Sequence, residues 1–130
     1  LVRSDFMPFA PAILAEQAGD FLRGVAPART AARFMTCCFA ATDRLRREHP
    51  AVVHVDGTVR AQIVDAGTNP ALHRVLTALQ RRTGSGVALN TSFNRHEEPI
   101  VRTPAEAIAT WRAAGLDALA LESAWVTAPG

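Results

Sequence analysis

The chain contains no lysine and no tyrosine, and its two cysteines, Cys37 and Cys38, are adjacent. Neighbouring cysteines rarely reach disulfide geometry, and this spacing fits no zinc site, so neither a disulfide scaffold nor a structural metal is expected. A reducing, cytoplasmic setting follows from that usage. The histidines are scattered and add no metal-ligand spacing of their own. No apolar run approaches the ~18 residues that span a bilayer, and no secretory leader pattern is present, so no membrane partner is expected. A Walker loop and a nucleophile elbow are also missing, which argues against serine-protease and metallohydrolase chemistry.

An excess of one charge is absent as well. The 14 basic residues, all arginine, stand against 12 acidic ones and leave a net charge of +2. The two signs interleave and form no basic stripe, so nucleic acid is not an expected partner. Arginine without lysine, together with abundant alanine, reflects a GC-rich coding sequence rather than a function.

What is present is an ordinary globular composition, 48% hydrophobic and 20% charged over 130 residues, enough for one domain with a real core. The chain opens on Leu1 and enters at once into LVRSDFMPFAP, which reads as an inner edge of a longer protein. Ile13, Leu14, Ala18, Phe21 and Leu22 fall on one side of a helix over 12–22, with Pro11 in its first turn. Residues 34–41 fit a strand better than a helix, and 42–50 read as a charged connector. VVHVDGTVRAQIVD, from Val52, alternates around Asp56-Gly57 and predicts a hairpin with a three-residue loop, Val55 opposite Val59 and Val53 opposite Ala61. Asn69 and Pro70 open a helix striped by Leu72, Val75, Leu76 and Leu79, which Thr83-Gly84 closes. A strand follows from Gly86 to about Thr91. Thr103, Pro104 and Glu106 start another helix with a capping box, Gly115 ends it, and Ala118–Leu121 forms a last short strand. Helices and strands mix along one core, so the class is α/β, bordering on α+β.

Polar groups on strands are the informative ones, because burial makes them costly. Arg60 sits among Val59, Ala61, Ile63 and Val64, with His54, Asp56 and Gln62 flanking it. It reads either as a solvated edge-strand arginine or as a clamp for phosphate or carboxylate oxygens. Asn90, Ser92 and Asn94 recur at every second residue where an apolar strand ends. In an extended chain all three point the same way. They read either as a turn that satisfies its own backbone or as a ligand face for a planar amide and a phosphate oxygen.

Together, PFAPAIL at Pro8 to Leu14, HVDGTVRAQIV at His54 to Val64, Thr83-Gly84, and LNTSFN and EPIV between Leu89 and Val101 resemble one family. It is that of the C-terminal domains of the nodulation, tobramycin and cephamycin type of O-carbamoyltransferase. TPAEAI and GLDAL fit too, and the resemblance runs from Arg3 to about Val126. It implies a YrdC-like domain, a twisted mixed sheet with flanking helices. It also implies use of carbamoyl phosphate and ATP, the nucleotide accompanied by Mg, to form a carbamoyl adenylate. A preceding actin-like domain of the same enzyme then passes the carbamoyl group to a hydroxyl of a sugar or secondary metabolite. Carried over by position, the resemblance puts Arg60 and Ser92 in the catalytic role and Arg3, His54, Thr58, Asn90 and Asn94 around the nucleotide and substrate. It assigns no metal ligand to the chain itself.

The chain also departs from that family. Leu1 and Met7 stand where it carries a lysine and an arginine, and Glu97 stands where its loop carries a glycine. These losses define an alternative: a non-catalytic nucleotide-binding or interaction module of the same fold.

Overall fold

The computed structural model describes residues 9–95 and 97–127. They group into two compact units that divide between Thr91 and Ser92. The first unit contains β1 (Ala10–Leu14), α1 (Ala18–Phe21), β2 (Leu22–Arg23), α2 (Arg29–Ala32), β3 (Phe39–Ala41), α3 (Asp43–Glu48), β4 (Thr58–Val59), β5 (Gln62–Val64), α4 (Pro70–Thr83) and β6 (Val87–Asn90). The second contains α5 (Pro104–Ala114), β7 (Ala118–Leu121) and β8 (Ala124–Thr127). The fold is therefore mixed α/β, as the alternation of helical and strand patterns predicts.

β1 is the axis of the first unit. It pairs in parallel with β5 and antiparallel with β6, giving the sheet order β5-β1-β6. All five of its residues are buried. On one face Ala12 and Leu14 pack with Val64 and Leu76, with Leu72 and Leu79 of α4 against them. On the other, Ile13 joins Ile63 and Val87 in a larger core with Phe21, Leu22, Leu45, Val59 and Ala61. A strand covered on both faces has no apolar alternation, and its residues mimic half of a helical stripe. The helix expected over 12–22 is corrected for that reason: only Ala18–Phe21 is α-helical, after a 3₁₀ turn over Ala15–Gln17. Pro11 lies in the strand rather than in a helix turn, and the ladder to β5 begins only beyond it, at Ala12 opposite Gln62.

The predicted hairpin is also corrected. β4 pairs with β3, in a second sheet ordered β2-β3-β4, while β5 crosses to pair with β1. Residues 50–52 form a 3₁₀ turn, and Val55 is exposed. Local alternation cannot reveal that each arm has a distant partner. The turn at Asp56-Gly57 does exist. Within 34–41 only Phe39–Ala41 is a strand. The connector contains α3, capped by the Thr42 hydroxyl accepting from Leu45 N–H at 3.3 Å; a helix this short shows no stripe, since Leu45 alone is buried.

The long helices match their signals. The Asn69 side chain accepts from Leu72 N–H, Pro70 opens α4, and Gly84 closes it at φ +82°. Val75, expected in the stripe, is exposed. In the second unit, Thr103 caps α5 by accepting from Glu106 N–H. The Glu106 carboxylate reaches back to Arg102 N–H at 2.7 Å, one residue beyond the usual capping box. Gly115 and Leu116 donate to Arg112 and Trp111 carbonyls, the doubled bonds of a glycine-ended helix. Ala107, Trp111 and Leu119 form this unit's core, and β8 extends the expected last strand into a hairpin.

Entry into β6 is held by a buried polar contact. Gly86 N–H donates to Gln17 Oε1 at 2.6 Å, and Leu14 N–H donates to Gly86 O at 3.0 Å. Beside it, His49 Nε2 and Ser85 Oγ lie 2.7 Å apart, and burial pushes the His49 pKa down, which keeps the ring neutral. A Cβ on Gly86 would run into the Leu14 side chain and come within 2.9 Å of Gln17 Oε1. Gly19, in contrast, has open space around its would-be Cβ. Gly86→Ala is expected to cost about 1–3 kcal/mol in a denaturant melt, because the core must shift to admit the methyl, while Gly19→Ala should cost nothing. Equal effects at the two sites would contradict this packing.

Candidate functional site

The turn before β4 is built from its own polar side chains. His54 N–H donates to Thr58 O at 2.8 Å and Gly57 N–H to His54 O at 2.9 Å, with Gly57 at φ +81° where a Cβ would be strained. Asp56 Oδ1 accepts from both Thr58 N–H, at 2.8 Å, and Thr58 Oγ1, at 2.7 Å. Those bonds, and more weakly the neighbouring His54, hold the Asp56 carboxyl below the usual carboxylate range. His54 Nδ1 lies 3.3 Å from Asp56 Oδ1 but is not aligned for a hydrogen bond, and it is buried without one. Thr58 and Asp56 thus stabilise the turn rather than waiting for a proton transfer.

From this turn the chain alternates. Val59, Ala61 and Ile63 are buried in the larger core. Thr58 and Gln62 are half-buried, Arg60 is exposed, and Val64 is buried against Leu76 in the other core. Arg60, Gln62 and Val64 therefore share the side opposite Val59, Ala61 and Ile63. Arg60 has no hydrogen bond or ion pair among the described residues, yet its flanking residues are 1% and 0% exposed. The result is a free guanidinium on a fixed piece of backbone.

Asn90, the last residue of β6, lies opposite Ala10 on β1, and Gln62 lies opposite Ala12. Partners in register point to the same face, so Asn90 and Gln62 meet across β1 above two alanine methyls. Asn90 Nδ2 donates to Gln62 Oε1 at 2.7 Å. Asn90 is thus placed on the sheet beside Gln62, and Arg60 lies in the link between β4 and β5, two residues before Gln62. Gln62 links them, a role that needs the β1 pairing to be seen.

The expected Asn-Ser-Asn row is corrected beyond Asn90. The strand stops there, and Ser92 and Asn94 belong to the second unit. Ser92 Oγ donates to Asn94 Oδ1, and Asn94 Nδ2 donates to the carbonyls of Arg95, at 2.9 Å, and Glu98, at 3.0 Å. Asn94 thereby bends the chain into a loop, which breaks the alternation that an extended strand would require. Ser92 remains exposed. Arg3, with Leu1 and Met7, lies outside the described residues. Among the described residues no group of three His, Cys, Asp or Glu side chains could hold a metal ion. No helix among them is long and apolar enough to cross a membrane. The second unit has a cleft of about 380 Å³ lined by Phe93, Val101, Thr103 and Leu119, but it contains none of the predicted site residues.

Fold and side chains together define a mixed α/β protein that presents paired neutral amides on a sheet face, with an unpaired guanidinium two residues before one of them. The carbamoyltransferase C-terminus family matches residues 2–128. The nodulation protein NolNO of Sinorhizobium fredii is 39% identical over 121 residues, 93% of this chain and 18% of its own length. NolO of Bradyrhizobium diazoefficiens is 38% identical over 117 residues, 90% of this chain and 21% of its own length. The 3'-hydroxymethylcephem-O-carbamoyltransferase of Amycolatopsis lactamdurans is 33% identical over 75 residues, 58% of this chain and 14% of its own length. The chain belongs to the carbamoyltransferase C-terminal family, and it spans about a fifth of the length of the nodulation proteins it matches.

The departure at Glu97 has a physical signature. Its φ is +66°, in the left-handed region that glycine occupies freely. A side chain there costs about 1–2 kcal/mol, offset in part by the greater unfolded-state entropy of glycine, about 0.5–1 kcal/mol. Glu97→Gly is therefore expected to raise the unfolding free energy by about 0.5–1 kcal/mol. A denaturant midpoint that falls would contradict the strain at this position.

Proposed function

We propose that this chain handles the carbamoyl donor in an O-carbamoyltransferase, converting carbamoyl phosphate and ATP to a carbamoyl adenylate. The atoms balance when water releases phosphate from carbamoyl phosphate and the resulting carbamate oxygen displaces pyrophosphate from ATP. Mg²⁺ travels with the nucleotide phosphates as part of that substrate. The carbamoyl group then passes to a hydroxyl of a sugar or other secondary metabolite in an actin-like domain that precedes this chain in the longer enzyme. Family membership supports the reaction class, and the O-carbamoyl transfer for which the cephem relative is named supports a hydroxyl acceptor.

The observation that carries the reading is the free guanidinium of Arg60 between two fully buried neighbours. A cation carried on anchored backbone and bonded to nothing else is available to a phosphate, and its planar fork matches two phosphate oxygens. Such preorganised charge stabilises the negative charge that grows during phosphoryl and adenylyl transfer. Thr58 and Asp56 keep the turn that aims Arg60, and His54 braces it.

Exchange of labelled pyrophosphate into ATP, measured with and without carbamoyl phosphate, tests the proposal. Exchange should require carbamoyl phosphate, and Arg60→Ala should slow it roughly 10²-fold or more, the usual cost of deleting one charge-stabilising donor. Exchange that ignores carbamoyl phosphate, or an Arg60→Ala variant as fast as the parent, would leave the non-catalytic alternative standing.

A further inference from the structure

Beside Arg60 the structure holds a pair of neutral amides whose bonding is only half used. Asn90 Nδ2 donates to Gln62 Oε1. Gln62 Nε2 and Asn90 Oδ1 have no partner among the described residues, and neither is sealed from solvent, since the buried unpaired side-chain atoms are His54 Nδ1 and Trp111 Nε1. One donor group and one acceptor atom are thus left together at the open rim of a sheet face whose remainder is covered by α4. Turning both amides over exchanges the two roles and again leaves one donor and one acceptor.

The floor beneath the pair is shaped for a small planar group. Asn90 and Gln62 lie opposite Ala10 and Ala12, so only methyl groups stand between them on β1. A larger side chain at either position would keep the amides apart. Arg60 stands two residues before Gln62, in the link between β4 and β5.

We infer that Gln62 and Asn90 together recognise the carboxamide end of the carbamoyl donor, Gln62 holding the Asn90 amide so that its Oδ1 is the specificity-determining acceptor of this site. The Gln62 amide N–H donates to the carbamoyl oxygen, and Asn90 Oδ1 accepts from the carbamoyl NH₂, while Arg60 takes the phosphate. This rests on the proposed carbamoyl phosphate site and adds what that site selects. Acetyl phosphate has the same phosphate and nearly the same shape, but a methyl group replaces the NH₂. It would leave the acceptor unpaired, and a site built around a hydrogen bond rejects the analogue that lacks it.

Titration calorimetry of the purified protein with carbamoyl phosphate and with acetyl phosphate decides the matter. The parent should prefer carbamoyl phosphate by about tenfold or more. Asn90→Leu, close in volume but without a hydrogen-bonding group, should bring the two affinities together by weakening carbamoyl phosphate the more. The preference of the parent is read without any variant, so the test stands if Asn90→Leu fails to fold. Gln62→Glu keeps an acceptor for Asn90 Nδ2 and so preserves the contact over β1. It removes the donor for the carbonyl oxygen, which acetyl phosphate shares, and so should weaken both ligands and leave the preference intact. Arg60→Ala should weaken both ligands in proportion and leave the preference intact. Equal affinities in the parent, a preference that survives Asn90→Leu, or one that Gln62→Glu abolishes would overturn this inference while Arg60-dependent binding still supports the donor site. Failure of the parent to bind either phosphate would overturn both.

Discussion

The structure of the first unit depends on the complete burial of β1 between two apolar layers. Ile13 faces the larger core, while Ala12 and Leu14 face α4, and the strand has a hydrogen-bonded neighbour on each edge. Ile13 and Leu14 each contribute roughly 1.5–3 kcal/mol by leaving water. Such a strand cannot slip by one residue without exchanging its two faces, so β5 and β6 are fixed in register around it. That register is what brings Gln62 and Asn90 across the same pair of alanines. The candidate site is a consequence of the core rather than an addition to it.

Some of this was legible in the sequence because the signal was local. The Asn69-Pro70 and Thr103-Pro104 caps, the closing glycines at Gly84 and Gly115, and the Asp56-Gly57 turn each depend on one short stretch, and each appears where its residues predict it. What failed was long-range. β1 was read as helical because a strand buried on both faces carries no period of two. The arms of the predicted hairpin separate because β4 and β5 find partners far along the chain. Only one wholly buried side chain, Leu45, marks α3, too little for a helical pattern.

The candidate site divides in the same manner. Arg60 was visible as a cation among apolar residues, and Asn90 as an amide at the end of an apolar strand. The contact of Asn90 with Gln62, two residues beyond Arg60, needed the pairing to β1 to be seen. Of the two readings open for Asn94, the structure bears out the turn that satisfies its own backbone: its amide binds the carbonyls of Arg95 and Glu98 and bends the chain. His54 and Thr58 keep their positions beside Arg60, but Thr58 is committed to Asp56. Membership of the carbamoyltransferase C-terminal family gives this arrangement its chemical context. A cation for phosphate and paired amides for a carboxamide are the groups that such a donor would require.

The central claim is that Arg60, Gln62 and Asn90 form one binding face for carbamoyl phosphate. Heteronuclear NMR of the side-chain NH₂ signals of Gln62 and Asn90 and the guanidinium N–H of Arg60, followed during a carbamoyl phosphate titration, tests it most directly. The account predicts that all three shift together and saturate with a single dissociation constant. Saturable binding that leaves these three signals unmoved would contradict it.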